Sequence, residues 1–180
     1  EGSVGYLCAE GHIAAVLLGE GRAYYKGELS DSKTALGKAG MAPFAPSYKE
    51  GLALLNGTSS PTALAAIGIY DLLKAVESAD VVAAMSFEML NGLLRAYDER
   101  VLNCRPQKEL LETADIIKRM LRGSQVTKKA EGTHVQDPLS LRCIPQLHGA
   151  VKKTLRDAWA AIEVEINGCA DNPIVCGEPD

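Results

Sequence analysis

The sequence has 180 residues, of which 47% are hydrophobic and 23% charged, and its net charge is −4 at pH 7. These values are typical of a globular chain that can bury a core. The negative charge argues against a sequence-independent nucleic-acid binder, which needs a basic surface. Two Phe and one Trp also offer few platforms for stacking bases.

The five cysteines are scattered, odd in number and never spaced Cys-x-x-Cys. This pattern favours reduced thiols in a cytoplasmic protein over a disulfide framework. The histidines make no ligand pair at useful spacing, so we expect no metal site: His12, His134 and His148. Nothing at the start is typical of a signal peptide, although Glu1 need not be the true beginning.

In chain order, the first apolar run predicts a helix that ends at Leu18, before Gly19. An extended or turn segment follows at residues 24–27. Asp31 or Ser32 is a suitable cap for a short helix over residues 33–39. Ser47 and Glu50, next in order, have the spacing of a capping box.

The longest predicted element begins at Ser59-Ser-Pro61 and runs to about Asp98, which corresponds to roughly 57 Å of helix. Its apolar stripe is Leu72, Val76, Ala79, Ala83, Phe87, Leu90 and Leu94. Charged residues recur at every turn and exclude a membrane span: Asp71, Lys74, Glu77 and Asp80. A helix of this length indicates a bundle shared with partners.

Another helix is predicted after Pro106, with a buried stripe of Leu110, Ala114, Ile117 and Leu121. Residues 124–133 are polar and Lys-rich, which indicates a solvated loop. The last helix spans about 144–166, with Leu147, Val151, Leu155, Ala158, Trp159 and Ile162 facing inward. No internal repeat and no convincing strand is visible, so the predicted fold class is all-α.

The stretch from Glu1 to His12 contains Gly-Ser-Val-Gly ahead of the first helix. Glycines in that position can present bare N–H groups to an anion, although a plain turn is the simpler interpretation. No Gly-x-x-x-x-Gly-Lys-Ser/Thr is present. With Leu7, His12 and residues 16–21, the stretch resembles the active-site segment of the histidine and aromatic amino-acid ammonia-lyase family.

In that family, Gly-Ser-Val-Gly is followed by Ala-Ser-Gly, which cyclises into an electrophilic methylidene-imidazolone. The resemblance leaves no residues for this tripeptide, because Tyr6 follows Gly5 directly. One hypothesis is that the modified group sits between Gly5 and Tyr6, since a modified tripeptide can drop out of a one-letter sequence. The other is a real deletion, which leaves a lyase-like chain without its electrophile.

Three further blocks resemble the same family in the family's order: residues 49–58, 135–149 and 165–173. The resemblance covers essentially all of residues 1–180, but only the middle of a family chain. It therefore implies that 1–180 is a single segment of a longer chain. The implied fold is a long-helix bundle of the fumarase/aspartase-like kind, assembled as a homotetramer whose active sites draw on several subunits.

The resemblance also assigns site residues, each of which has a simpler reading. Asn56 is a plain turn residue before Gly57, or lies beside the prosthetic group. Arg142 is an ion-pairing surface arginine, or clamps the substrate carboxylate in a bidentate contact. Gln136 is a helix cap, or a polar contact in the active site. Asn172 initiates a turn before Pro173, or lies in the site.

Two departures from the family pattern matter. Leu139 stands where the family has a tyrosine near the prosthetic group, and Tyr6 stands where it has an aspartate. The family's catalytic base lies upstream of this segment. The implied reaction is elimination of ammonia from histidine or an aromatic amino acid, with no metal. The alternatives are a 2,3-aminomutase that uses the same group, and a non-catalytic helical scaffold.

Overall fold

The computed structural model describes residues 9–177, which are mostly helical. The elements follow in the order α1 (Ala9–Leu17), β1 (Arg22–Tyr25), β2 (Glu28–Asp31), α2 (Ser32–Lys38), α3 (Glu50–Ala53), α4 (Ser59–Met89), a 3-10 turn (Leu94–Tyr97), α5 (Glu99–Leu102), α6 (Lys108–Met120), α7 (Gln125–Ala130), α8 (Leu139–Arg142) and α9 (Ile144–Asn167). The predicted helical fold class is confirmed.

The chain divides into two compact units. The first consists of residues up to Ala65 together with those from Ile162 onward, and the second is Ala66–Ala161. The prediction that 1–180 forms one segment of a longer chain stays a prediction.

A small antiparallel hairpin in the first unit is an addition to the predicted helices. Strand β1 pairs with β2, and Tyr25 lies opposite Glu28. The connecting residues Lys26 and Gly27 have φ values of 50° and 85°, the left-handed pair that a tight two-residue hairpin turn requires. The sequence had indicated an extended or turn segment here, so the expectation of no strand was wrong. In α2 the predicted cap is confirmed, since the Asp31 carboxylate accepts from the Thr34 N–H at 2.9 Å.

Helix α4 ends at Met89, nine residues before the predicted Asp98. Asn91 adopts a left-handed φ of 54°, and the Gly92 N–H donates to the Phe87 carbonyl at 2.9 Å, which closes the helix. A side chain at Gly92 would collide with the buried Phe87 ring, 2.5 Å away. The Asn-Gly dipeptide is a turn signal that the periodicity obscured.

The core of the second unit surrounds Phe87, Tyr97 and Ile117, all fully buried. Helix α6 buries the predicted stripe of Leu110, Ala114, Ile117 and Leu121. Residues 124–133 were predicted as a loop, and this is wrong for α7: the Ser124 hydroxyl accepts from two backbone N–H groups and starts the helix, while residues 131–133 form a turn.

The buried faces of the two long helices differ from the prediction. In α9, Leu155 is buried as expected, whereas Leu147, Val151 and Trp159 are about half exposed. Gly149 and Lys152 take their place, since Gly149 lies directly against the backbone of α6. In α4 the buried residues are Ile69, Asp80, Ala84 and Phe87.

Candidate active site

The predicted site residue Asn56 lines a cleft of about 920 Å³ in the first unit, which we call the Asn56 cleft. Gly57, next in the chain, has a φ of +109° and turns the backbone against Ala170 and Asp171. The polar part of the lining comprises Ser47, Lys49, Glu50, Asn56, Thr58, Ser59, Thr62, Glu165 and Asp171. This is a large, mixed polar and apolar cleft of the kind that holds small molecules.

One wall of the Asn56 cleft is tied together by an ion pair between Lys49 and Asp171. The other carboxylate oxygen of Asp171 accepts from the Asn172 N–H at 2.7 Å. The hydrogen bond from Lys49 is the main reason that the pKa of Asp171 lies below its usual range, and the Asn56 amide contributes in the same direction. Asn56 and Asp171 are thereby neighbours, while Asn172 itself is not among the lining residues.

The start of α1 is bonded to the start of α4 in the same unit. The Glu10 carboxylate accepts from both the N–H and the hydroxyl of Ser60, and this lowers the pKa of Glu10. Ser59, next to Ser60, lines the Asn56 cleft. The predicted flanking residues Gly5 and Tyr6 lie outside the described part of the chain.

The predicted residues Gln136 and Arg142 come together in the second unit, in a pocket of about 250 Å³. We call it the Arg142 pocket; its lining is Leu93, Arg95, Ala96, Val135, Gln136, Asp137 and Arg142. With its amide oxygen turned toward the guanidinium, Gln136 lies within reach of all three nitrogens of Arg142: Nε and Nη2 at 2.9 Å, and Nη1 in a closer contact. Because guanidinium carries five N–H groups, donors remain for a ligand carboxylate.

Leu139 opens α8, and its side chain is 62% exposed. It is not among the residues that line the Arg142 pocket. Leu139 therefore contributes no side chain to the wall of this pocket.

Sequence reasoning assigned no role to Asp137, although it lies between Gln136 and Arg142 in the chain. Asp137 is 5% exposed, and its carboxylate accepts from the Leu93 N–H at 2.6 Å and contacts His134 Nε2 at 2.7 Å. Burial raises the pKa of the Tyr97 hydroxyl, and the Asp137 charge adds to this effect. The one available signal was the position of Asp137 inside a recognised family block.

A second buried charge cluster was also missed. Asp80 on α4 binds Lys152 on α9 at 2.5 Å and His148 at 2.8 Å, and Lys152 also donates to Thr113 on α6 at 2.9 Å. Asp80 is 2% exposed and Lys152 8%. The cluster joins three helices of the second unit, so we assign it to the structure of that unit.

Within residues 9–177, no group of three His, Cys, Asp or Glu side chains could hold a metal ion. In the same range, none of the helices is both long and apolar enough to cross a bilayer.

Comparison with known structures identifies the class as the helical ammonia-lyases and aminomutases. Phenylalanine aminomutase from Pantoea agglomerans superposes with a TM-score of 0.82 at 30% identity, covering 98% of this chain and 38% of that one. Histidine ammonia-lyase from Trypanosoma cruzi gives a TM-score of 0.80 at 29% identity, covering 99% of this chain and 33% of that one.

The family model for aromatic amino acid lyases matches residues 1–180, and the chain belongs to this family. Histidine ammonia-lyase from Streptococcus pyogenes serotype M6 is 42% identical over 175 residues, which are 97% of this chain and 34% of the relative. The chain thus spans about a third of the length of the curated relatives that it matches.

Proposed function

We propose that this chain is the central part of an ammonia-lyase that eliminates ammonia from histidine or an aromatic L-α-amino acid and releases an α,β-unsaturated acid. The observation that carries the proposal is the family match over all 180 residues. Histidine is the first substrate to test, because relatives named histidine ammonia-lyase are 42% identical to this chain.

We assign to Arg142 the binding of the substrate carboxylate. Gln136 contacts the guanidinium of Arg142, and one amide oxygen cannot take up all five guanidinium N–H groups, so donors remain for a carboxylate. A planar fork suits a bidentate contact, whereas an ammonium group does not. Gln136 is in this view a polar contact that orients Arg142.

The prosthetic group implied by the family is a methylidene-imidazolone between Gly5 and Tyr6. The donor set of the Asn56 cleft fits such a group, because an amide there can donate to an imidazolone oxygen. The hydrogen bonds that Ser60 donates to Glu10 also hold Glu10 near this cleft, and Glu10 lies only four positions after Tyr6 in the chain. When present, the group supplies the electrophile that makes the substrate nitrogen a better leaving group.

The first experiment is intact mass under denaturing conditions, combined with peptide mapping across Gly5 and Tyr6. A mass excess equal to Ala-Ser-Gly less two waters, together with release of unsaturated acid from histidine, supports the proposal. A direct peptide bond between Gly5 and Tyr6 would refute the lyase chemistry and leave the non-catalytic helical scaffold as the remaining hypothesis. In that case Arg142→Ala should leave ligand binding unchanged.

The assembly we propose is a homotetramer. Large apolar side chains along α4 are more than half exposed in the single chain, which indicates that a partner covers them: Leu64, Ile67, Tyr70, Leu72, Val82, Met85 and Met89. Size-exclusion chromatography with light scattering tests this, since a well-folded monomer would contradict it.

A 2,3-aminomutase is the second candidate, favoured by two observations. Leu139 stands in place of the family tyrosine, and the structural relatives include aminomutases at 30% identity. Chromatography of the reaction mixture separates the two activities, because a mutase accumulates the β-amino acid and a lyase the unsaturated acid.

A further inference from the structure

The Arg142 pocket has two walls, and their role in carboxylate binding rests on the proposed function. One wall consists of Leu93, Arg95 and Ala96, and the other of residues 135–142. Asp137 joins the walls, because its Oδ2 accepts from the Leu93 N–H at 2.6 Å. Its neighbour in the chain, Gln136, contacts Arg142. The position of both site residues therefore depends on how firmly Asp137 is held.

His134 holds the other oxygen of Asp137. Its Nε2 lies 2.7 Å from Oδ1, and its Nδ1 lies 2.9 Å from the Thr133 hydroxyl. The Thr133 hydroxyl has one proton, which it donates to the Ala130 carbonyl at 2.6 Å. Thr133 is therefore an acceptor toward His134, and Nδ1 must carry hydrogen.

The second nitrogen of His134 faces Asp137, whose carboxyl oxygens can only accept when the group is ionised and include a donor when it is protonated. A hydrogen is thus needed at both ring nitrogens, or at Nδ1 and on Asp137. In either arrangement the pair holds one proton more than a neutral imidazole beside a carboxylate. Removal of that proton leaves one of the two contacts without a hydrogen.

Other charged groups face this pair from the elements around it. Arg95 Nη2 donates to the His134 carbonyl at 2.7 Å, and Arg142 lines the pocket with Asp137. Lys129 lines a neighbouring cleft with His134, and the Tyr97 hydroxyl is influenced by the Asp137 charge. Within this set, histidine is the side-chain type that proteins use as a proton switch near physiological pH.

We propose that His134 and Asp137 are positioning residues for the Arg142 pocket, and that the extra proton on the pair strengthens the hold of Arg142 on a carboxylate ligand. Neither residue needs to touch the ligand. Carboxylate recognition should then weaken as pH rises and the pair loses its proton.

The test compares two ligands on the complete protein: the unsaturated acid product of histidine elimination and its primary amide, which lacks the carboxylate. Titration of the ligand ring affects both, so the ratio of their dissociation constants (amide over acid) reports the carboxylate contact. In the wild type we expect this ratio to fall about tenfold between about pH 5.5 and about pH 8.5, the range in which histidine side chains serve as proton switches in proteins.

His134→Gln should make the ratio independent of pH and keep it at the low value. Asp137→Asn should lower it at every pH. The matched control is His148→Gln, which breaks a bond to a different buried carboxylate, Asp80, at 2.8 Å and should leave the pH profile unchanged. Thermal unfolding of each variant shows whether it is folded, and a merely structural role would change the melting temperature without flattening the profile.

A wild-type ratio that does not change with pH, or a His134→Gln variant that keeps the pH dependence, would overturn the inference while leaving the lyase proposal intact. If the wild type binds acid and amide equally, and Arg142→Ala changes neither, then the proposed function fails and this inference fails with it.

Discussion

The Asn56 cleft and the Arg142 pocket are held in place by different means. In the Arg142 pocket, the supporting carboxylate of Asp137 is almost fully buried and has a partner at each oxygen. In the Asn56 cleft, the supporting pair of Lys49 and Asp171 is partly open to water, with the Lys49 side chain 24% exposed. Buried hydrogen bonds therefore hold one site and an ion pair partly exposed to water holds the other, so the two should respond differently to substitution.

The largest expected effect is on the buried network of the second unit. Asp80→Asn leaves the Lys152 ammonium group buried without its counter-charge, and should lower the free energy of unfolding by about 3–5 kcal/mol. Urea denaturation measures this. Asp171→Asn in the first unit is the control and should cost much less. An equal loss in both variants would show that the buried and the partly exposed ion pair stabilise the chain alike.

The next largest effect is on activity. Arg142→Lys removes the planar fork and should reduce kcat/KM about 100-fold, since a charge-assisted hydrogen bond is worth about 1.5–3 kcal/mol. Steady-state kinetics with histidine measures it. Arg100→Lys is a matched control, because Arg100 makes a bidentate contact to Asp98 but is exposed. Wild-type activity in Arg142→Lys would contradict the proposed carboxylate clamp.

A smaller effect is expected for close packing in the second unit. A Cβ at Gly149 would lie 2.8 Å from the Leu110 backbone nitrogen, so Gly149→Ala should push α9 from α6 and cost about 1–3 kcal/mol. Gly68 in α4 has open space at the same position, and Gly68→Ala should stabilise by about 0.5–1 kcal/mol. Thermal denaturation measures the stability of both variants. A Gly149→Ala variant more stable than the wild type would show that α6 and α9 are not in close contact.

The smallest expected effect is on the pKa of Asp171 in the Asn56 cleft. Lys49→Ala should raise the pKa of Asp171 toward its ordinary value, as followed by NMR titration of the carboxyl carbon. Because that pKa is lowered in the folded chain, the stabilisation is complete above about pH 4 and is lost as pH falls through the lowered value. Lys38→Ala, which breaks the exposed pair with Glu28, should leave Asp171 unchanged.

The helices with a single apolar face were predictable from the sequence. Helix α6 buries its predicted stripe because its other face is charged and leaves no alternative. In α9 and α4, apolar residues occur on more than one face, so periodicity could not decide which face meets the chain's own core. The helix end at Asn91 was readable from the Asn-Gly dipeptide, but the apolar spacing continued past it.

The site was predicted through family blocks, and Gln136 and Arg142 line one pocket in the structure. The roles of Asn56, Gln136, Arg142 and Asn172 stay predictions. Asp80 and Lys152 could not be predicted as partners, because 72 residues separate them and no local pattern links distant charges. The contact of Asp137 with Leu93, across 44 residues, is equally invisible in the sequence.

The contact between Gly149 and the Leu110 backbone has a consequence for the slow motions of the second unit. Helices that touch backbone to backbone leave no space for water, so neither can fray without separating from the other. The amide protons of α6 near Ala114 and Ile117 should therefore exchange with solvent only when the whole unit unfolds. The amide protons of the small hairpin should exchange orders of magnitude sooner, because an exposed hairpin can open locally at a low cost in free energy.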